Sequence, residues 1–195
     1  MDRHTIEAII AGNLERHRQV CERLAGMMPL VERAAALMIQ SLKNDGRVLF
    51  CGNGGSAADA QHLAAELSGR YLLNRPALDA EALHVNTSAL TAIANDFGYE
   101  TVFSRQVEAH GRPGDTLVAI STSGGSANVV KAAEAARRKN MRVIAMTGER
   151  NSLLAGMADV VLAVPTGETP RIQEMHILIG HTLCEIIEKS LFEEK

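Results

Sequence analysis

The chain has 195 residues, of which 46% are hydrophobic and 22% charged, and its formal net charge is −3. This composition is typical of one globular domain, and the weakly acidic balance does not favour a nucleic-acid partner. Only 3% of the residues are aromatic and none is Trp, which argues against a surface for base stacking.

Targeting signals and cysteines predict the compartment. No stretch approaches the roughly 18 consecutive apolar residues of a membrane span, and the N-terminus MDRHTIEAII lacks the apolar region of a secretory signal. The three cysteines, Cys21, Cys51 and Cys184, fit neither a disulfide framework nor a zinc knuckle. We therefore expect a cytoplasmic protein with reduced thiols and no membrane partner.

The N-terminal region, residues 1–45, predicts two helices. Apolar residues recur at helical spacing from Ile6 to Val20, Gly26 interrupts the pattern, and Pro29 begins a second stripe that ends before NDG at 44–46. Two consecutive stripes favour a helical hairpin used in oligomerisation. The alternative is that both helices pack on their own domain.

Short apolar runs then alternate with helical stretches. Five runs predict strands, at 47–52, 81–85, 116–122, 142–148 and 160–164. Helical stretches are expected at 56–70, at 126–139 and from about Thr169 to Glu194. Near-continuous apolar strands between helices are typical of a parallel sheet covered on both faces. The sequence thus predicts a single domain over 1–195, a doubly wound five-stranded α/β fold.

A glycine-rich loop, CGNGGSA, follows the first predicted strand and opens a helix. Ligands of an open parallel sheet bind beyond the carboxyl ends of its strands, so this loop is a candidate site. Its spacing formally matches a dinucleotide fingerprint. That fingerprint also needs an acidic residue after the next strand, which here ends His84-Val85-Asn86. A ligand smaller than a dinucleotide is favoured.

A second loop, STSGGSANVV at 121–130, combines four hydroxyls with two glycines before a helix. Ser121, Thr122, Ser123 and Ser126 add donors to the positive end of that helix, which suits a phosphate. The loop lacks the lysine of a nucleoside-triphosphate loop. The alternative is a helix cap by Ser126, but one hydroxyl would suffice for that.

Polar side chains also occur within the predicted helices. His62 and Glu66 are four residues apart and share one face of the helix that the glycine loop opens, about two and three turns from its start. The last helix carries Gln173 and His181, the latter among apolar neighbours, where a buried, singly hydrogen-bonded histidine is the alternative. The stretch ANDFGYE at 94–100 is a further polar cluster, or a simple turn.

Together these motifs resemble the phosphoheptose isomerases of the sugar isomerase (SIS) fold, which is flavodoxin-like. The similarity covers essentially the whole chain and includes both loops, ANDFGYE, FSRQVEA and RIQEMHILIGHTLCE. It implies an isomerase that converts sedoheptulose 7-phosphate into D-glycero-D-manno-heptose 7-phosphate through an enediol. The product would serve lipopolysaccharide and other heptose-containing glycans, and the enzyme would be a homotetramer.

The resemblance also implies a role for particular residues. Glu66 would be the base and His181 the acid. One zinc ion per subunit would be bound by His62, Glu66, Gln173 and His181. Substrate contacts would come from Glu66 and Gln173 and from the two loops and the polar cluster, at Asn53, Gly54, Gly55, Asn95, Asp96, Ser121, Thr122, Ser123 and Ser126. One departure from the family is Gly125, where Asn is commoner.

Two questions accompany this interpretation. A non-enzymatic SIS relative binds the bacterial replication initiator, but it lacks the residues equivalent to Glu66 and His181, whose presence here favours the enzyme. Gln173 and His181 are eight residues apart, a rise of about 12 Å along a straight helix. Ligands of one zinc ion lie closer than that. We therefore expect the site to be shared between subunits, with Glu66 meeting Gln173 or His181 of a neighbouring chain.

Overall fold

The computed structural model describes residues 1–149 and 152–193. In chain order, the helices and strands of these residues are α1 Arg3–Arg23, α2 Met28–Lys43, β1 Val48–Cys51, α3 Gly55–Ser68, β2 Ala80–Ala82, α4 Thr87–Phe97, α5 Val102–His110, β3 Thr116–Ile120, α6 Ala127–Arg138, β4 Arg142–Gly148, β5 Val160–Val164 and α7 Thr169–Phe192. All five predicted strands are present, with the second shorter and shifted towards the N-terminus. The predicted end of the last helix, Glu194, lies outside the described residues.

The strands form one parallel sheet in the order β2-β1-β3-β4-β5, the flavodoxin-like order. Helices cover both faces, so side chains that alternate along a strand enter two different cores. Phe50 packs with residues of α2, α3 and α7, and its neighbour Leu49 packs with residues of α5 and α6. This arrangement confirms the doubly wound five-stranded fold.

The two N-terminal helices differ in burial. In α2, Val31, Ala34 and Met38 are buried in the core, so this helix covers the sheet of its own domain. In α1, Val20 is the buried residue, and the remaining apolar stripe is exposed by 46% to 66% at Ile6, Ile9, Ile10 and Leu14. No helix in the described part of the chain is long and apolar enough to cross a membrane.

Candidate functional site

The glycine loop at 51–57 and the loop at 121–130, called the serine loop, lie side by side at the carboxyl edge of the sheet. β1 pairs with β2 on one side and with β3 on the other, and Cys51 is opposite Ala119. The chain winds away from β1 in one direction to β2 and returns on the other side at β3. The loops after β1 and β3 therefore flank the topological switch point, where open α/β sheets bind ligands.

Asn53 in the glycine loop is fixed by its side-chain amide. Its Nδ2 donates to Asn128 Oδ1 at 2.9 Å, and Asn128 Nδ2 donates back to Asn53 Oδ1 at 2.8 Å. The Tyr99 hydroxyl also donates to Asn53 Oδ1, at 3.2 Å. Asn128 is 4% exposed and lies in the first turn of α6, so it joins the two loops. The sequence interpretation missed Asn128, although it stands in the SANVV segment of the serine loop.

The hydroxyls of the serine loop are gathered together. Ser121 Oγ lies 3.0 Å from Ser126 Oγ, and Ser123 Oγ accepts from the backbone N–H of Gly125 at 3.2 Å. Ser126 is the N-cap residue of α6, but its side chain makes no capping hydrogen bond. The Ser126 hydroxyl therefore does not cap α6, contrary to the helix-cap alternative.

A small cavity adjoins the serine loop where α7 begins. Its volume is about 140 Å³, and Thr122 and Ser123 form one wall. Other walls come from the ends of β4 and β5 and from the first turn of α7, at Gly148, Glu149, Thr166, Gly167, Thr169 and Ile172. Gly124, with a φ of +63°, lets the loop turn tightly beside this space.

His62, Glu66 and His181 come together within one chain. His62 Nε2 lies 3.2 Å from Glu66 Oε1 and 2.9 Å from His181 Nε2. One donor atom from each of the three residues lies within 4.8 Å of the others. Two imidazole nitrogens and a carboxylate oxygen that converge in this way are the donor set of an open three-ligand metal site. The residues present therefore fit a divalent metal ion.

The packing of α3 against α7 explains this convergence. Gly180 contacts Leu63 so closely that a Cβ at Gly180 would lie 2.5 Å from Leu63 Cδ1. The missing side chain lets the two helices approach at the level of the two histidines. Gly55 at the start of α3 lies against Gln173, and Leu63 further along α3 lies against Gly180. The two helices therefore run in the same direction.

Gln173 lies about two turns earlier on α7, beside Gly55, where an added Cβ would overlap its side-chain amide. The structure thus separates the four expected zinc ligands into a group of three and Gln173. His181 meets Glu66 within its own chain, so the expectation of a neighbouring chain is not needed for His181. It stays a prediction for Gln173.

Asn95 and Asp96 are exposed near the end of α4, where Asn95 Nδ2 donates to Asp96 Oδ1 at 2.8 Å. Within the described residues this is the one side-chain hydrogen bond that either residue makes. The same stretch reaches the glycine loop through the Tyr99 hydroxyl, which donates to Asn53. The structure therefore brings the ANDFGYE segment to the site but leaves Asn95 and Asp96 pointing to solvent.

Two thiols lie close to these elements, at the end of β1 and in α7. Burial raises the pKa of both Cys51 and Cys184 to about 12. The thiol and not the thiolate is therefore present at neutral pH, and neither cysteine is a nucleophile. The reactive groups of the site are the two imidazoles and the Glu66 carboxylate.

The sequence pattern of the SIS domain family matches residues 14–148, and the chain belongs to this family. A phosphoheptose isomerase of Rhodospirillum rubrum is 56% identical over 169 residues, which are 87% of this chain and 90% of that protein. The structure of a phosphoheptose isomerase from Neisseria gonorrhoeae has 47% identity and a TM-score of 0.89, and the match covers 94% of this chain and 99% of that one. One from Francisella tularensis has 38% identity and a TM-score of 0.90, over 93% and 97% of the two chains. The family resemblance read from the sequence is confirmed.

Proposed function

We propose that this chain is an aldose–ketose isomerase that converts sedoheptulose 7-phosphate into D-glycero-D-manno-heptose 7-phosphate, a precursor of lipopolysaccharide heptose. The observation that carries this proposal is the meeting of Glu66 with His62 and His181 where α3 packs against α7. The names of relatives about half identical to this chain support the same reaction.

The isomerisation moves a proton between C1 and C2 through an enediol. Glu66 would take the proton from one carbon and return it to the other, because a carboxylate close to two imidazoles is a suitable general base. His181 would donate a proton to the carbonyl oxygen and accept one from the neighbouring hydroxyl. Glu66 is 23% exposed at its side chain, so a substrate can reach it.

The serine loop would hold the phosphate group. Ser121, Thr122, Ser123 and Ser126 surround the N-terminus of α6, where unpaired N–H groups favour an anion. Anchoring the phosphate would keep C1 and C2 in register with Glu66 and His181. Asn53, Gly54 and Gly55 on the neighbouring loop, with Asn95 and Asp96, would contact the sugar.

We assign the metal group to zinc, one ion per subunit, held by His62, Glu66 and His181. Gln173 would complete the ligand set, as the resemblance implies. A Glu66 carboxylate and a His181 imidazole committed to the ion would be a poorer base and acid. Zinc bound there would therefore polarise the oxygens of the enediol in their place, or organise the site. We place the enzyme in the cytoplasm, because Cys21, Cys51 and Cys184 are free thiols and disulfides are rare in that compartment.

We further propose that the whole chain, 1–195, is one SIS domain that assembles as a homotetramer through its N-terminal helices. The exposed apolar stripe of α1 supports this, because such a face is expected to pack against another chain. In the assembly, Gln173 of one subunit would serve the site of a neighbour.

Subunit mixing tests the shared site. Hybrids of Glu66→Gln with Gln173→Ala should regain activity, since some sites then combine an intact Glu66 with a neighbour's Gln173. Hybrids of Glu66→Gln with His181→Ala should stay inactive, because these two residues meet within one chain. If verified hybrids of the first pair are also dead, Gln173 acts in its own chain beside Gly55.

The proposed activity is tested with purified protein and sedoheptulose 7-phosphate, following the appearance of heptose 7-phosphate by NMR. The assay is run with added zinc and after chelation, and Glu66→Gln and His181→Gln should both abolish turnover. The adaptor alternative predicts no turnover under either condition, together with tight binding of the bacterial replication initiator.

A further inference from the structure

We propose that Tyr71 is a positioning residue for this reaction, held against the His181 imidazole by a buried clamp of Glu188 and Arg75. The inference rests on the proposed function, because it assumes that His181 acts with Glu66 on the sugar. It adds a third element, the segment that follows α3, to the two helices that carry the reactive groups.

The contact itself is a ring stack. The ring centroids of Tyr71 and His181 are 5.6 Å apart, and the two planes differ by 28°. His62 contacts the same imidazole with its ring centroid at 5.1 Å and a plane tilted by 60°. An imidazole with aromatic neighbours of fixed orientation has little freedom to rotate about its Cβ–Cγ bond. His181 Nε2 is thereby kept directed at His62 and Glu66.

Glu188 fixes the backbone that carries Tyr71. Its carboxylate accepts from the backbone N–H groups of Tyr71 at 3.0 Å, Leu72 at 2.7 Å and Leu73 at 2.7 Å. Glu188 is only 1% exposed, although it is a charged residue. Burial raises the pKa of this carboxyl, but the hydrogen bonds outweigh burial, and the net pKa is lowered. A carboxylate with three backbone donors holds the segment 71–73 in one conformation.

Arg75 extends the clamp to the end of α3. Its Nε donates to Glu188 at 2.9 Å, and both side chains are 1% exposed. The other guanidinium nitrogens donate to the carbonyl oxygens of Glu66 at 2.8 Å and Leu67 at 2.7 Å. Both carbonyl groups belong to the last turn of α3, where carbonyl groups have no hydrogen-bond partner within the helix. The turn that carries Glu66 is therefore tied to the same ion pair.

The spacing along α7 makes the clamp local to the reactive groups. Glu188 follows His181 by seven residues, which is two turns, so both side chains lie on the same face of α7. One buried ion pair thus connects the turn that carries Glu66, the segment that carries Tyr71 and the face that carries His181. A buried ion pair is a costly way to gain stability alone, because a well-packed apolar pair would serve equally. Its placement here fits a role in geometry.

The test compares Tyr71→Ala with Tyr71→Phe and with Leu72→Ala. Leu72 is held by the same carboxylate, but its side chain is 58% exposed, so it is a matched control. In Tyr71→Ala we expect kcat and zinc affinity each to fall by about tenfold, the usual scale for residues that support metal ligands. We expect KM to stay within about twofold of wild type, because the serine loop, which would bind the phosphate, is unchanged. Tyr71→Phe keeps the ring and should match wild type, as should Leu72→Ala.

A spectroscopic measurement makes the test independent of turnover. In protein with isotope-labelled histidine, the His181 Cε1–H signal is identified by its loss in His181→Gln. It should move downfield in Tyr71→Ala, because the shielding ring is gone, and stay in place in Tyr71→Phe. If Tyr71→Ala does not fold, Tyr71→Leu replaces it, since Leu fills the space without an aromatic face.

The inference is overturned if Tyr71→Ala and Leu72→Ala have equal kcat, zinc affinity and His181 signals. It is also overturned if Tyr71→Phe behaves like Tyr71→Ala, since the hydroxyl and not the ring would then matter. A wild-type protein that is inactive on sedoheptulose 7-phosphate refutes the proposed function alone, because zinc affinity and the His181 signal still report on Tyr71.

Discussion

His176 should make the fold sensitive to mild acid. It lies in α7 with no exposed surface, and its Nε2 donates to the Thr147 carbonyl oxygen at 3.1 Å. Its Nδ1 has no hydrogen-bond partner among the described residues. Burial lowers the pKa of His176 from 6.5 to about 4, against a smaller opposite effect of the Thr147 hydrogen bond. The unfolded chain therefore binds a proton at His176 more readily than the folded chain.

The sign and the size follow from this difference. Because the unfolded state binds more protons, the free energy of unfolding falls as pH falls from about 6.5 to about 4. The full difference corresponds to about 3 kcal/mol, of which about 2 kcal/mol is lost between pH 7 and pH 5. Stabilities of 5–15 kcal/mol are common for domains, so a loss of about 2 kcal/mol is readily measured.

The assay is urea unfolding at pH 7 and pH 5, at one protein concentration and with a chelator, so that proton-linked metal release does not contribute. His176→Gln keeps a donor for the Thr147 carbonyl but cannot titrate. Wild type should lose about 2 kcal/mol more than His176→Gln on going to pH 5. The exposed His110 serves as the control, and His110→Gln should behave as wild type. Equal losses in wild type and His176→Gln would refute the reasoning.

Three further changes test other parts of the molecule. Ser126→Ala should raise the KM for the sugar phosphate about ten- to a hundredfold, because a hydrogen bond to a charged group is worth about 1.5–3 kcal/mol; an unchanged KM would place the phosphate elsewhere. Gly55→Ala should leave the fold intact but displace the Gln173 side chain, whose Cδ lies 2.9 Å from the added Cβ, and lower the activity. In zinc affinity, which the sugar contact of Gly55 does not affect, the double variant with Gln173→Ala should be no worse than Gln173→Ala alone, and a further loss would contradict this explanation. Glu188→Gln should lower the free energy of unfolding by about 3–5 kcal/mol at pH 7 in urea, because Arg75 is left buried without its partner charge. Since the folded-state pKa of Glu188 is lowered, its contribution is lost as pH falls below 4.5, and the gap between wild type and variant should close there; a gap that persists would argue against the ion pair.

The sheet could be predicted from the sequence because its strands are buried on both faces. The run VLFC at 48–51 has no polar position, and the same holds for most of β3 and β4. The apolar run predicts the edge strand β2 at 81–85, whereas its pairing with β1 ends at Ala82. The run extends further because Leu83 is buried by packing beyond the end of the strand. Helix α5, Val102–His110, was not predicted, although Val102, Phe103 and Val107 are spaced for it.

The local composition of the site was visible, but its contacts were not. The hydroxyls of the serine loop are neighbours in sequence, so their proximity could be expected. His62 and His181 are 119 residues apart, and Asn53 and Asn128 are 75 apart. Their meeting depends on how α3 packs on α7 and how β1 pairs with β3. No local sequence pattern predicts how these elements align with one another. Gly180 at the helix contact cannot be recognised as a packing residue from the sequence around it.

The reciprocal amide pair determines what Asn53 can offer a ligand. Its Oδ1 accepts from Asn128 Nδ2 and from the Tyr99 hydroxyl, which uses both lone pairs of that oxygen. Its Nδ2 gives one hydrogen to Asn128 Oδ1 and keeps the second. Asn128 Oδ1 accepts from Asn53 Nδ2 and from the Val129 N–H. Neither side-chain amide can therefore flip its oxygen and nitrogen without losing hydrogen bonds. Asn53 therefore acts on a bound sugar as a donor only, and a substrate must present an oxygen at that point.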